Sequence, residues 1–331
     1  MEQQKKVFKI LSIDGGGIKG LYSSTILERF EEKYNCLTSD HFDLLCGTST
    51  GGLIALALSL KVPAKTISSF YFDKGPTIFS KRRFSLLRQL FYGGKYSEVN
   101  LKKYLEEIFE DKLLGESHNL LCIPAFNLTD SSTCVFKFDH KEGDYGRDNK
   151  IKYVDIALAT SAAPTYFPLC HISNLEKQYV DGGLWANNPA LVGLTEAIAH
   201  FVGPKKDYNS VELLSIGSLE IKKGKPIYSN RYRSAARWRA DLISPFFVGQ
   251  ALFTHNTLNF LQNHSDIELD YHRIPSTIIC KEQEKLIGMD VVSEKALRFI
   301  KGQGLSQADD WYRKDSIKRM FTTKKTYIIN L

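Results

Sequence analysis

Twice near its start the chain runs from an apolar strand through a glycine turn directly into a helix. "VFKILSI", residues 7–13, is aliphatic and β-branched, Gly15, Gly16 and Gly17 follow, and "IKGLYSSTILERFEEKY" spaces its apolar residues at helical intervals. The unit returns in "HFDLLCGTSTGGLIALALSL", where a short strand ends at Gly47 and an apolar helix begins within a few residues. Strands alternating with helices need both faces of the sheet covered. The pattern therefore predicts an α/β protein with a mostly parallel central sheet in a three-layer α/β/α arrangement. "LLCIPAFNL", "CVFKFDH" and "VELLSIGS" add further strands, and "NLKKYLEEIFEDKL" adds a helix.

Past about residue 218 this rhythm fades. "RWRADLISPFFVGQALFTHNTLNFLQNH" and "SEKALRFIKGQGLSQADDWYRKDSIKRMF" read as helical, with "YHRI" as a late strand. We expect a strand–helix unit over residues 7–217 and a mainly helical extension over 218–331, packed as one globular body across a soft boundary. No repeat of fixed period and no Pro/Gly/Ser linker interrupts it.

The balance of 44 Lys and Arg against 37 Asp and Glu leaves a net charge of +7. Spread evenly, that charge is a solvated surface; clustered, it suits anionic lipid headgroups or nucleotides. The N-terminus carries no apolar signal region, and "GLIALALSL" is about half a bilayer span, so the expectation is a cytoplasmic protein that touches a membrane only peripherally. Six cysteines without a CxxC pair suggest neither a zinc site nor a disulfide framework, which fits a reducing compartment.

The glycine loop admits two readings. Gly15-x-Gly17-x-x-Gly20 fits a dinucleotide fingerprint, yet counting about 20 residues on reaches "EEKYNCL", still in the helix or its exit, with no second strand ending in an acid. The alternative is that backbone N–H groups face an oxyanion in acyl transfer. "CGTSTGG" favours the alternative. Gly47-x-Ser49-x-Gly51 between a strand and a helix is the sequence of a nucleophile elbow, which lifts a serine clear of the backbone at the end of a parallel sheet. Serine needs a base. Asp181 in "YVDGGLWANNPA", followed by Gly182 and Gly183, is one candidate, although an Asp-Gly pair also reads as a plain turn. His255, His264 and His272 follow Asp181 in the order of a serine–acid–histidine triad, and none lies in a recognisable motif.

"DGGGIKG" (beginning at Asp14), "GTSTG" and "DGG" occur in the order used by the patatin-like phospholipases, which this chain resembles over residues 7 to about 217. "YFDKGPTIF" at 71–79, "ATSAAPTYFP" at 159–168 and "NNPA" at 187–190 are further matches. The resemblance implies a Ser49–Asp181 dyad without a catalytic histidine, acting on acyl esters of membrane glycerophospholipids. It also implies an oxyanion hole from the N–H groups of Gly15, Gly16 and Gly17, with Thr50 or Gly51 beside them, and it implies no cofactor and no metal. Lys19 stands where the family carries arginine and lacks the planar fork of that residue. Compact bacterial members include antiphage phospholipases switched on by a cyclic oligonucleotide, so such an activator and a homo-oligomer enter as partners, and a nucleic acid polymer does not. A nonspecific carboxylesterase or transacylase with the same dyad, and a non-catalytic lipid- or nucleotide-binding module, are the alternatives.

Two basic stretches stand apart from these motifs. "FSKRRFSLLRQLFYGGKY", residues 79–96, interleaves cations with leucines and aromatics and ends near Gly93-Gly94, which suits a lid or an interfacial patch as well as a core-packing helix. "KKGKPIYSNRYRSAARWRAD", residues 222–241, reads as a solvated face, a membrane patch or a pocket for an anionic effector.

Overall fold

The computed structural model describes residues 6–80, 94–143, 145–220, 243–277 and 282–329, with isolated positions (227–228, 231–232, 234, 279–280) between them. β1 (Val7–Ile13) is the centre of the sheet, paired in parallel with β2 (Leu44–Gly47) on one edge and β7 (Ser210–Ile216) on the other. β3 (Leu120–Asn127) joins β2 in parallel, and β8 (Glu268–Ile274) joins β7 in parallel. β4 (Ser132–Lys137), β5 (Cys170–Ile172) and β6 (Lys177–Asp181) complete the sheet through antiparallel pairings. The strands that read as unbroken apolar runs are the ones with no solvent face: all of β2 and β7 is buried, and all of β1 beyond Val7.

The crossovers set the layers. Stepping from β1 to β2 to β3 in one direction, right-handed connections put α1 (Gly20–Tyr34), α2 (Thr50–Ser59), α3 (Ala64–Ile78) and α4 (Glu98–Phe109) on one face. The chain adds α5 (Tyr153–Ser161) and the single-turn α6 (Gly183–Ala186), then passes through α7 (Ala190–His200) to β7 on the far side of β1. The strand order thus reverses at β1. In open α/β sheets the crevice at such a switch point, beyond the carboxyl ends of the strands, is where ligands sit.

Residues beyond 217 are built into this body. β8 supplies a sheet strand, and α8 (Ile243–His264) packs on β8, α6 and α7. α9 (Glu294–Trp311) lies on α1, closely enough that a side chain at Gly304 would meet Tyr22 O at 2.8 Å. After α10 (Asp315–Thr322) the tail folds under the sheet, where Asp43 Oδ1 accepts Thr326 N–H at 2.8 Å and Tyr327 N–H at 2.7 Å. Among the described residues no helix is long and apolar enough to cross a membrane.

Candidate active site

The register around β3 brings two distant segments together. β4 occupies one edge of β3 from Cys122 to Asn127, so the other edge is shared: β2 pairs with Leu120 to Cys122, and β6 pairs with Ala125 to Asn127 from the opposite direction. β2 and β6 therefore end facing each other. Pro124, between them, bonds to neither, and its carbonyl accepts Thr160 Oγ1 at 2.6 Å. Ser49 stands just past one strand end and Asp181 closes the other.

Ser49 has φ +55° and ψ −124°, a backbone state that non-glycine residues adopt only when surroundings enforce it. The enforcement is visible. Ser49 N–H donates to Thr160 Oγ1 at 3.0 Å, Thr48 Oγ1 donates to Ala186 O at 2.6 Å, and any side chain at Gly51 would strike Ile13 O at 2.2 Å. Gly47 ends β2 on the near side of this turn. Behind it Thr50 opens α2, its hydroxyl donating to Tyr71 OH at 2.6 Å, so the positive end of that helix dipole lies under the serine.

Asp181 is fully enclosed. The Ser49 side chain lies close enough to lower its carboxyl pKa, and Gly183 N–H donates to Oδ1 at 2.7 Å, while Gly182 makes the turn between β6 and α6. Burial pushes this carboxyl up to about 6, against the nearby Ser49 hydroxyl and the Gly183 N–H, which pull it down. It titrates just below neutrality, as a general base should.

Asp14 leads the glycine loop but points away from the serine, into a bidentate pair with Arg273 of β8 (Oδ2–Nη2 2.5 Å, Oδ1–Nη1 3.2 Å). Arg273 also donates to Ser215 Oγ at 2.7 Å, so one guanidinium ties β1, β7 and β8 at their carboxyl ends. The N–H groups divide by function. Gly15 N–H donates to Asn187 O at 3.0 Å, which corrects the expectation that it faces an oxyanion, and Gly51 N–H is likewise held by Thr48 O at 2.9 Å. Gly16 and Gly17 N–H have no protein partner among the described residues. Gly17 is held at φ +61° under Met289, whose carbonyl accepts Ile18 N–H at 2.9 Å and would sit 2.4 Å from any side chain there. Lys19 turns from the loop to donate to Leu219 O at 2.6 Å, and Gly20 starts α1.

The serine opens onto an apolar cavity, part of it open to solvent, lined by residues such as Leu53, Phe70, Ile78, Phe167 and Met289. A second small apolar space, lined also by Ile108 and Phe109, lies against the other side of Leu53, Phe70 and Tyr71. Residues 81–93, most of the expected lid, and most of 222–241 lie outside the described residues. At the lid's flank, Lys95 and Tyr96 OH both bind the Asp290 carboxylate, the latter at 2.6 Å, one residue from Met289.

Among the described residues no histidine is bonded to Ser49 or Asp181. His255 Nδ1 meets Tyr271 OH at 3.0 Å, His264 lies tilted against the Phe260 ring, and His272 pairs with Asp270 at 2.7 Å. Elsewhere, donor atoms of His140, Glu196 and His200 lie within 4.8 Å of one another, but the Lys137 ammonium sits 2.5 Å from Glu196 and Tyr145 OH bridges Glu196 and His200. A resident cation fills the role a metal would take. Sequence reasoning missed Thr160, Asn187, Met289 and Arg273 as site residues. The first two lie in the family-like segments "ATSAAPTYFP" and "NNPA", and Arg273 adjoins His272 in "YHRI", a strand with no motif of its own.

A family model described as patatin-like phospholipase matches residues 11–194. The chain is 32% identical over 300 residues to a cGAMP-activated phospholipase of Pseudomonas aeruginosa, spanning 90% of this chain and 86% of that one. To a cGAMP-activated phospholipase of Escherichia coli it is 30% identical over 325 residues, spanning 91% and 88%. The crystal structure of VipD from Legionella pneumophila superposes with a TM-score of 0.43 at 13% identity, covering 93% of this chain and 67% of that one.

Proposed function

Because the chain belongs to the patatin-like phospholipase family and is a lipid ester hydrolase, we propose that it cleaves acyl esters of membrane glycerophospholipids through a Ser49–Asp181 dyad. The observation that carries this reading is that the facing ends of β2 and β6 bring Ser49 to a buried carboxylate raised to about 6. Asp181 accepts the hydroxyl proton as Ser49 Oγ attacks the ester carbonyl. Negative charge collects on the carbonyl oxygen, where the N–H groups of Gly16 and Gly17, with Thr50 N–H at the head of α2, stabilise it. Collapse expels the glycerol oxygen, which takes the proton from Asp181, and leaves an acyl ester on Ser49. Asp181 then removes a proton from water, the hydroxide attacks, and the fatty acid departs as Ser49 regains its proton. Asp14 holds the loop and takes no part in proton transfer. The apolar lining of the cavity beside Ser49 suits an acyl chain.

The names of the two bacterial relatives bring cyclic GMP–AMP forward as the activator. The test is fatty-acid release from phospholipid vesicles by the wild type and Ser49→Ala, each alone and with a panel of cyclic di- and trinucleotides. Release by the wild type with one nucleotide, abolished in Ser49→Ala, is the expected result. Release without nucleotide removes the gating. Cleavage of short-chain esters alone, with phospholipid untouched in every condition, replaces the phospholipase reading with a carboxylesterase.

A further inference from the structure

Between Ile243 and His264, α8 carries no Lys, Arg, Asp or Glu. Its inner face packs on the body through Ala251, Thr254 and Leu258, all buried. On the outer face Phe246, Phe253 and Phe260 stand seven residues apart, 49%, 68% and 62% exposed, with Leu252 beside them at 47%. Seven residues is close to two helical turns, so the three rings form one stripe about 21 Å long. Among the described residues outside 227–260, exposed large apolar side chains are scattered singly, as at Val99, Leu128 and Leu305, which is ordinary for a surface. A stripe of three is not.

We propose that this outer face of α8 is the surface by which the enzyme docks on an anionic phospholipid bilayer, an inference that rests on the phospholipase reading above. Position supports it. One residue from Phe246, the Phe247 ring would lie 2.9 Å from a side chain at Gly183, itself 3.1 Å from Asp181 Oδ1. Gln250 Nε2 donates to Leu184 O at 2.5 Å and its Oε1 accepts Asn187 N–H at 3.2 Å. The helix that exposes the stripe is therefore bolted to the wall of the catalytic centre, and seating it in a membrane brings that centre to its substrate. Charge supports it as well. In sequence, residues 222–241 before the helix hold seven Lys and Arg against one Asp, the complement of an anionic leaflet, while the stripe itself has no charge to desolvate. A coiled-coil seam with a second copy would carry charges beside its apolar positions to set register, and α8 has none.

The experiment uses full-length Ser49→Ala protein, which leaves vesicles intact, in co-sedimentation with vesicles of phosphatidylcholine and of phosphatidylcholine mixed with phosphatidylglycerol. The parent binds the anionic vesicles, and adding Phe246→Ser, Phe253→Ser and Phe260→Ser weakens partitioning at least about tenfold. The same three substitutions in the Ser49 enzyme leave hydrolysis of a monomeric short-chain ester unchanged. Phe253→Ser alone, checked by its melting curve, carries the test if the triple variant is misfolded. Unaltered vesicle binding overturns the proposal, and so does loss of a dimer by light scattering while vesicle binding persists, which would assign the stripe to a second copy. Binding that depends on the stripe in a wild type unable to cleave phospholipid would sink the phospholipase reading and spare the docking surface.

Discussion

Replacing Asp181 by asparagine should abolish turnover and make the protein more stable, for the same reason. Burial holds this carboxyl at about 6 in the folded chain, against 3.8 when free. The difference is about 2 units, and at about 1.36 kcal/mol per unit the ionised group is disfavoured in the native state by about 3 kcal/mol. The sign follows from a raised folded pKa: the advantage of the protonated form is complete below the unfolded value and is lost as pH rises through about 6. Asparagine has the shape of the neutral acid at every pH, and its carbonyl still accepts Gly183 N–H. At pH 8 Asp181→Asn should therefore be more stable than the wild type by up to about 3 kcal/mol, with the gap closing to near zero by about pH 4. Urea denaturation of both proteins at several pH values measures it, alongside fatty-acid release, which should fall by at least about a thousandfold. A variant less stable than the wild type at pH 8, or a gap that does not move with pH, would refute the account of Asp181 as a buried, strained base.

Three further outcomes follow from the same geometry. For the wild type, kcat/KM should rise with pH to a plateau with its half-point near pH 6, since Asp181 must be ionised to accept the proton; a half-point near pH 4 would mean an exposed carboxylate. Arg273→Met strands Asp14 in a buried site and should lower stability by about 3–5 kcal/mol in denaturation, with activity lost through the displaced glycine loop. Thr160→Val removes the acceptor for Ser49 N–H and the clasp on Pro124 O, so kcat should fall about 10- to 100-fold while vesicle binding stays as it was.

Local chemistry sufficed for much of this protein. An apolar run, a glycine and a helical period specify a strand, a turn and a helix whatever lies elsewhere, so β1, β2, α1, α2 and the elbow at Ser49 were legible in "VFKILSIDGGG" and "CGTSTGG". The late strand in "YHRI" was visible too, as part of β8. What adjacency along the chain could not decide was which ends meet. Asp181 faces Ser49 because β2 and β6 share one edge of β3 from opposite directions, which brings together two residues 132 positions apart in the chain. Asp14 was part of a quoted signature, yet its partner Arg273 is 259 residues away, and only the packed sheet shows that the aspartate is an anchor. The same holds for Gly15: as a glycine in a loop it looks like its neighbours, and only Asn187, delivered by a different segment, occupies its N–H. Sequence by itself determined the local turns and the residue types able to do the chemistry; burial and long-range pairing, which depend on every segment at once, decided which groups face each other and in what state of charge.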